Sequence, residues 1–211
     1  MSSSKMVIDG VYETSKMRVE IHDDVVIKTF KKGRNSKKRY TREKRALNLL
    51  LGKKGFPQVS ECDDDLLQIV MSRLSGKRPE TLSESQADQL RRLVHELNAS
   101  GVSRHAMPLR DFIVDEDGYL GMVDFERVSF RGFRYSPIWY AALKVNQYNL
   151  LRLIMAHQPQ VLTTSESELF KKLLWLRNNL TKLRPLKNTV RKYLSQIKVM
   201  TKSTSFAFRV R

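Results

Sequence analysis

The chain has 211 residues, of which 41% are apolar and 29% charged, a composition that can bury a core and that excludes a disordered polypeptide or a long multidomain assembly. Its 39 Lys and Arg residues outnumber 22 Asp and Glu residues and give a net charge of +17, which indicates an anionic partner. The single cysteine, Cys62, excludes an internal disulfide framework and a cysteine-rich zinc site and favours a reducing compartment.

The first 74 residues predict a lobe built on strands. Three short segments rich in β-branched residues predict an antiparallel meander, namely 7–14, 17–21 and 25–30. Ser36 is expected to cap a helix that ends near Gly52 or Gly55. The mostly apolar run at 66–71 predicts a buried strand.

A polar connector at 75–79 marks the predicted boundary between two lobes. Beyond it, Ser83 and Gln86 are spaced as a capping box at the start of an amphipathic helix. Gly101 is expected to close this helix.

A hairpin and further helices are predicted in the second lobe. The dipeptide Asp117-Gly118 is typical of a tight turn and joins predicted strands at 112–114 and 119–123. Helical patterns follow at 138–156, 166–180 and 186–199. The order of elements predicts a two-lobed α+β fold, with an N-terminal lobe at 1–74 and a mostly helical lobe at 75–211.

Positive charge is concentrated in two stretches. Fourteen Lys and Arg residues within 136–211 face only Glu166 and Glu168, which leaves a net charge of +12. Between residues 28 and 45, ten basic residues surround one acid, Glu43. Such clusters are typical of a solvated helix face, and the alternatives are contacts with nucleic acid, an anionic membrane surface or a phosphorylated ligand.

The sequence predicts no membrane span and no signal peptide. Its first nine residues lack an apolar run, and no stretch approaches the roughly 18 uninterrupted apolar residues of a span. We therefore expect a cytoplasmic protein whose contact with the inner membrane, where it occurs, is peripheral.

Four side chains carry the candidate chemistry. Lys28 lies in an apolar strand, where burial of an ammonium is costly unless an anion meets it, and Glu43 is the natural partner. Asp124 follows a predicted buried strand, and Asp111 precedes it by thirteen residues. Two such carboxylates can hold Mg²⁺, which keeps several waters while it bridges to phosphates. The ordinary alternatives are a lysine that faces water and acids that cap turns.

Together these features resemble the protein-kinase superfamily, particularly the small atypical RIO-like kinases of bacteria and archaea and the sugar kinases of the lipopolysaccharide core. The resemblance covers about residues 5–130. Val-Val-Ile-Lys28 looks like the strand-three lysine motif, with Glu43 as the acid of the following helix. Met71-Ser-Arg-Leu74 looks like the hinge, and Asp124-Phe-Glu126 stands in the place of the metal-binding Asp-Phe-Gly. The stretch 101–114 looks like the catalytic loop.

This resemblance implies ATP and Mg²⁺ as cofactors. Lys28 would hold the α and β phosphates, and Glu43 would orient Lys28. Met71 and Arg73 would contact the adenine as part of the hinge. The implied metal ligands are Asp124 and Asp111, the latter in place of the usual Asn.

The sequence departs from the family at two places. Ala106 occupies the position of the catalytic aspartate, and a methyl group cannot accept a proton from an attacking hydroxyl. The neighbouring His105 either substitutes for that base or serves as a structural hydrogen-bonding group. The nucleotide flap at 12–17 lacks glycines, so either Lys16 or Ser15 contacts phosphate directly, or both lie at an ordinary hairpin tip.

Two functions are consistent with the sequence. The first is an ATP- and Mg²⁺-dependent phosphotransferase that acts on a hydroxyl of a sugar, a lipopolysaccharide-core glycolipid or a protein. Only 81 residues follow Phe130, which leaves little room for a peptide-docking platform. The second is a pseudokinase scaffold without a catalytic base, whose basic C-terminal segment binds nucleic acid, an anionic membrane surface or a protein partner.

Overall fold

The computed structural model describes residues 10–133 and 136–182 of the chain. The chain divides into two compact units, Met1–Glu166 and Ser167–Arg211. The predicted strand residues 7–9 and the predicted helix at 186–199 lie outside the described residues.

An antiparallel sheet of five strands forms the first lobe. The strands are β1 (Val11–Glu13), β2 (Met17–Ile21), β3 (Val25–Phe30), β4 (Val59–Asp63) and β5 (Gln68–Ser72), in the order β1-β2-β3-β5-β4. The predicted meander is confirmed by β1, β2 and β3. Because β3 is the central strand, Lys28 is flanked by Val19 on β2 and by Ile69 on β5.

The last two strands differ from the sequence prediction. β5 begins at Gln68 because Leu67, with a φ of 53°, lies in the preceding turn. β4 was not predicted, since its sequence Val-Ser-Glu-Cys-Asp has neither an apolar run nor clean alternation. Among the strands that the structure describes, β4 pairs with β5 alone and lies at the edge of the sheet.

Helix α1 (Ser36–Leu49) packs against the sheet and carries Glu43 on its buried face. The predicted cap was wrong. Asn35, with a φ of 67°, is the N-cap residue, and the Ser36 hydroxyl donates to the carbonyl of Gly33 at 2.8 Å.

The second lobe combines short strands with longer helices. Its elements are α2 (Glu84–Ala99), β6 (Val102–Arg104), β7 (Phe112–Val114), β8 (Leu120–Met122), β9 (Val128–Phe130) and α3 (Pro137–His157), and α4 (Thr164–Lys182) follows. The capping box of α2 is confirmed, because Ser83 and Gln86 each accept from the backbone N–H of the other. The β7–β8 hairpin is also confirmed. The pairing of β6 with β9 was not predicted, since three-residue strands carry little periodic signal.

The loop between α1 and β4 joins the two lobes. The Phe56 ring packs against Phe125 with centroids 6.0 Å apart, and the N–H of Met122 donates to the carbonyl of Gly55 at 2.8 Å. Both aromatic rings lie in one buried apolar core that draws on sheet, helices and hairpin. The α+β class and the two lobes are as predicted, and the boundary after residue 74 stays a prediction. Within 10–133 and 136–182, no helix has the length and apolarity that a bilayer crossing requires.

The connector between the lobes passes close to the β7–β8 hairpin at Gly76. Lys77 and Val114 exchange two backbone hydrogen bonds, at 2.9 and 2.8 Å. Gly76 has a φ of 108°, and a Cβ atom there would overlap the carbonyl oxygen of Val114. Gly52 also has a positive φ, of 75°, but no atom lies within 4 Å of its hypothetical Cβ.

We predict that Gly76→Ala destabilises the protein by about 3 kcal/mol or more, because backbone strain and overlap with Val114 both contribute. Gly52→Ala is the matched control and should cost about 1 kcal/mol, from strain alone. Urea unfolding followed by circular dichroism measures both values. Equal losses in the two variants would contradict the close approach at Gly76.

Candidate active site

The centre of the candidate site is the ammonium group of Lys28. Its side chain points to the buried face of β3, where the residue is only 5% exposed. The Nζ atom donates to both carboxylate oxygens of Glu43, at 2.7 and 2.9 Å. A third contact runs to Oδ1 of Asp124 at 3.0 Å. The structure therefore brings together three of the residues that the sequence proposed, from β3, α1 and the segment after β8.

Backbone conformation directs Asp124 toward this lysine. Asp124 has a φ of 68°, a left-handed conformation in which the chain turns sharply at the end of β8. The next residue, Phe125, is fully buried, and its N–H approaches Oε1 of Glu43 at 3.4 Å. The Asp124 side chain remains 39% exposed, so the site is reached from solvent at this carboxylate.

Lys28 and Asp124 stabilise one another's charged forms, whereas burial, and then the charge of Asp124, raise the pKa of Glu43 against the opposing effect of Lys28. Burial alone would lower the pKa of Lys28, but the carboxylates of Glu43 and Asp124 outweigh it and raise that pKa above its ordinary value. Burial would likewise raise the pKa of Asp124, but the charge and hydrogen bond of Lys28 outweigh it and lower that pKa. Lys28 and Asp124 are thus both ionised at neutral pH.

Asp111 is held by a residue that the sequence analysis did not single out. The Arg104 guanidinium, which is buried, forms an ion pair with Oδ2 of Asp111 and donates to the carbonyl of Val123 at 3.0 Å. It also lies 5.5 Å from the centre of the Phe125 ring. The sequence did contain a feature that could have identified Arg104, namely its position in the short strand Val102-Ser-Arg104. A buried guanidinium needs an anion for the same reason as the ammonium of Lys28.

The two aspartates fit a divalent cation of the Mg²⁺ type. Burial, and then the negative charge of Asp124, raise the pKa of Asp111, while Arg104 opposes the shift. Adjacent carboxylates of this kind favour a bound cation. The described residues contain no cluster of three or more potential ligands, but Mg²⁺ takes only one or two from the protein when phosphates and water supply the rest. Each aspartate already has one paired oxygen, Asp111 with Arg104 and Asp124 with Lys28, and the Asp124 side chain is the more exposed of the two.

The position of the expected base lies in an exposed loop. Ala106 is exposed, between β6 and the single turn of 3₁₀ helix at Leu109–Asp111. The Nε2 atom of His105 lies 2.8 Å from the Ser129 hydroxyl on β9. Burial, with the charges of Arg42 and Arg127, lowers the pKa of His105. This histidine therefore has a structural partner on β9, and its role as a base stays a prediction.

The proposed flap and hinge residues have local partners. Lys16 is exposed at the β1–β2 turn, where its N–H donates to the Thr14 hydroxyl at 3.0 Å. Met71 is buried within β5. The N–H of Arg73 donates to the carbonyl of Asp24 at 2.8 Å, and its guanidinium to the carbonyl of His22 at 3.1 Å. In this conformation that N–H is not available to an adenine, and the nucleotide contacts of these residues stay predictions.

Two surface cavities lie elsewhere on the first unit. One, of about 1010 Å³, includes Gly55, Arg92 and Tyr119 in its lining. The other, of about 410 Å³, lies between α2 and α3. Lys28, Glu43 and Asp124 line neither, so the candidate site is defined by its charged contacts.

No model of a protein family and no curated protein matches this chain. Among solved structures it is similar to WbdD in a co-crystal structure with the kinase inhibitor LY294002, with a TM-score of 0.51 and 14% identity, covering 77% of this chain and 44% of the WbdD chain. Another crystal structure of WbdD matches with a TM-score of 0.47 and 13% identity, covering 76% and 43%. The chain thus spans less than half the length of the WbdD chains. The likeness concerns the fold, and the chain has the predicted bilobal, kinase-like α+β fold.

We predict that Arg104→Met destabilises the protein by about 3 kcal/mol at neutral pH, because it leaves the largely buried carboxylate of Asp111 without its counter-charge. In the folded variant, the pKa of Asp111 lies further above its unfolded value than in the unmodified protein. The folded variant therefore binds this proton more tightly than the unfolded chain, and the loss of stability shrinks as the pH falls toward about 4. Urea unfolding at a series of pH values measures this dependence.

Asp111→Asn supplies the control for that experiment. In this background no ionisable group remains at position 111, so the cost of Arg104→Met should be smaller and nearly independent of pH. The same pH dependence in both backgrounds would show that the effect does not arise from the Arg104–Asp111 pair.

Proposed function

We propose that this protein binds ATP with Mg²⁺ and transfers the γ-phosphoryl group to a hydroxyl of a sugar, a lipid-linked glycan or a protein. The observation that carries the proposal is the placement of Lys28 between Glu43 and Asp124. A buried cation next to a solvent-reachable carboxylate, in a kinase-like fold, is the arrangement that phosphoryl transfer requires for positioning and for charge neutralisation.

Nucleotide binding would exchange one contact of Lys28. Its three N–H donors are used by two oxygens of Glu43 and one of Asp124. Asp124 is the partner most easily replaced, because its side chain is 39% exposed while that of Glu43 is 2% exposed. A phosphate oxygen would take its place on Lys28, while Glu43 keeps the ammonium aligned.

The released Asp124 carboxylate would then hold Mg²⁺, with Asp111 nearby. When bound, Mg²⁺ supplies neutralisation of the phosphate charge. Arg104 fixes Asp111 and the backbone at Val123, so the acidic side of the site is organised before nucleotide arrives. Such preorganisation reduces the free-energy cost of aligning these groups during the reaction.

The residues around Ala106 do not favour a sugar, a lipid-linked glycan or a protein as the phosphate acceptor. Ala106 provides no proton acceptor, so transfer would rest on positioning and charge, at a rate lowered by the usual contribution of a general base, about 10²- to 10⁴-fold. The same residue supports a second candidate function, a pseudokinase scaffold that binds nucleotide without transfer. Measured transfer from radiolabelled ATP separates the two functions.

We predict that Lys28→Met weakens MgATP binding by about 10- to 100-fold, the equivalent of about 1.5–3 kcal/mol for a hydrogen bond to a charged group. Lys32→Met, which removes an exposed lysine of the same lobe, is the matched control and should bind like the unmodified protein. Isothermal titration calorimetry measures both. LY294002, the inhibitor bound to WbdD, serves as a competing probe whose displacement by ATP is expected.

Lys28→Met leaves two carboxylates unpaired and is therefore expected to reduce stability. A second variant tests the nucleotide site without this loss. Asp124→Asn changes a partly exposed side chain and should remain folded by circular dichroism. It should abolish the enhancement of ATP binding by Mg²⁺. If folded Lys28→Met and Asp124→Asn both bind MgATP normally, the proposed nucleotide site is wrong.

We predict that Ala106→Asp raises phosphoryl transfer by about 10²- to 10⁴-fold, the range of a general base. The exposed position accommodates a carboxylate without disturbing the core. Ala106→Asn has nearly the same shape but is no base, and it should leave the rate unchanged. If nucleotide binds but none of the three proteins transfers phosphate, the scaffold function replaces the enzymatic one.

A further inference from the structure

Helix α4 exposes large apolar side chains within the second unit. Trp175 is 68% exposed, Leu180 57% and Leu176 45%. With 3.6 residues per turn, these three positions fall within roughly 140° of the helix circumference. Leu173 lies on the same stripe as Leu176 and Leu180 and is buried. The apolar stripe is therefore buried at Leu173 and exposed one and two turns later, at Leu176 and Leu180.

Basic residues accompany this apolar arc. Lys171 and Lys172 are exposed and stand one helical turn ahead of Trp175 and Leu176, close enough for the side chains to be neighbours. From residue 169 to the end of the sequence there are twelve Lys and Arg residues and no Asp or Glu. The sequence from residue 169 onward therefore has a net charge of +12.

We propose that the exposed face of α4, defined by Lys171, Lys172, Trp175, Leu176 and Leu180, binds to an anionic lipid surface. Apolar side chains of a helix that lies in the plane of a bilayer enter the boundary between headgroups and acyl chains, and basic residues beside them attract anionic headgroups. Tryptophan prefers this boundary because its ring is apolar and its N–H is polar.

The composition of the face favours lipid over nucleic acid. A nucleic acid would use the lysines and could stack a base on Trp175, but it offers nothing to Leu176 and Leu180. A bilayer engages all five side chains at once. This inference stands independently of phosphoryl transfer, because α4 contains none of the residues assigned to the nucleotide.

The two tryptophans of the chain make the proposal measurable. Trp175 is exposed, whereas Trp139 on α3 is only 7% exposed. The full chain would be mixed with vesicles of phosphatidylcholine that contain about 30% phosphatidylglycerol, and with vesicles of phosphatidylcholine alone. On the anionic vesicles we expect co-sedimentation, a blue shift of tryptophan emission and quenching by brominated lipid. Trp175→Phe, which leaves only Trp139, should show neither the shift nor the quenching.

Substitutions separate the charged and apolar contributions. Lys171→Gln with Lys172→Gln should weaken binding about 30-fold, at about 1 kcal/mol for each charge. Leu176→Ser with Leu180→Ser should weaken binding at least tenfold without a change in its salt dependence. The matched controls are Lys37→Gln with Lys38→Gln on α1, and Ile138→Ser on α3, which are also exposed and should bind like the unmodified chain. Lys28→Met should retain vesicle binding, so failure of the nucleotide site and failure of this proposal are distinguishable.

Several results would overturn the proposal. One is the absence of binding to anionic vesicles at low salt. A second is binding that the serine variant retains in full, which would reflect general charge attraction. A third is tighter binding to a single-stranded oligonucleotide with quenching of Trp175, which would assign the face to nucleic acid. A fourth is a dimer in size-exclusion chromatography that Trp175→Ser dissociates, which would assign the face to a second copy of the chain.

Discussion

The buried ammonium of Lys28 is the constraint on which the rest of the site depends. Removing an ammonium from water is tolerable only when carboxylates surround it, and here they come from α1 and from the segment after β8. The lysine therefore fixes the inward position of the helix through Glu43 and the turn at Asp124. One electrostatic requirement thereby joins a strand, a helix and a hairpin into a single arrangement.

A second buried cation performs a similar task on the other side of the site. Arg104 joins the loop that contains Ala106 to the segment that follows β8, through its contacts with Asp111 and Val123. Its charge also offsets that of Asp111. Of the two aspartates, Asp124 is the more exposed to solvent.

Sequence predictions were accurate where a periodic pattern was long or where burial of a charge carried a large free-energy cost. The pairing of Lys28 with Glu43 was foreseeable because an ammonium in an apolar strand demands an anion, and the long amphipathic α2 was foreseeable from its period. The three-residue strands β6 and β9 were not, since their pairing is set by tertiary contacts. Arg104 meets the same criterion as Lys28, but its short strand was not identified. The αL conformation at Asn35 also depends on context. The nucleotide roles of Met71, Arg73 and Lys16 stay predictions.

The loop between α1 and β4 is one of the places where the two lobes are joined. The carbonyl of Gly55 binds the N–H of Met122, and Phe56 packs on Phe125, on either side of Asp124 in sequence. Space beside Gly55 is filled by Leu93 of α2. Met122 and Phe125, which lie on either side of Asp124, are thus both held by this loop. The position of the Asp124 carboxylate next to Lys28 therefore depends in part on a loop that contains neither residue.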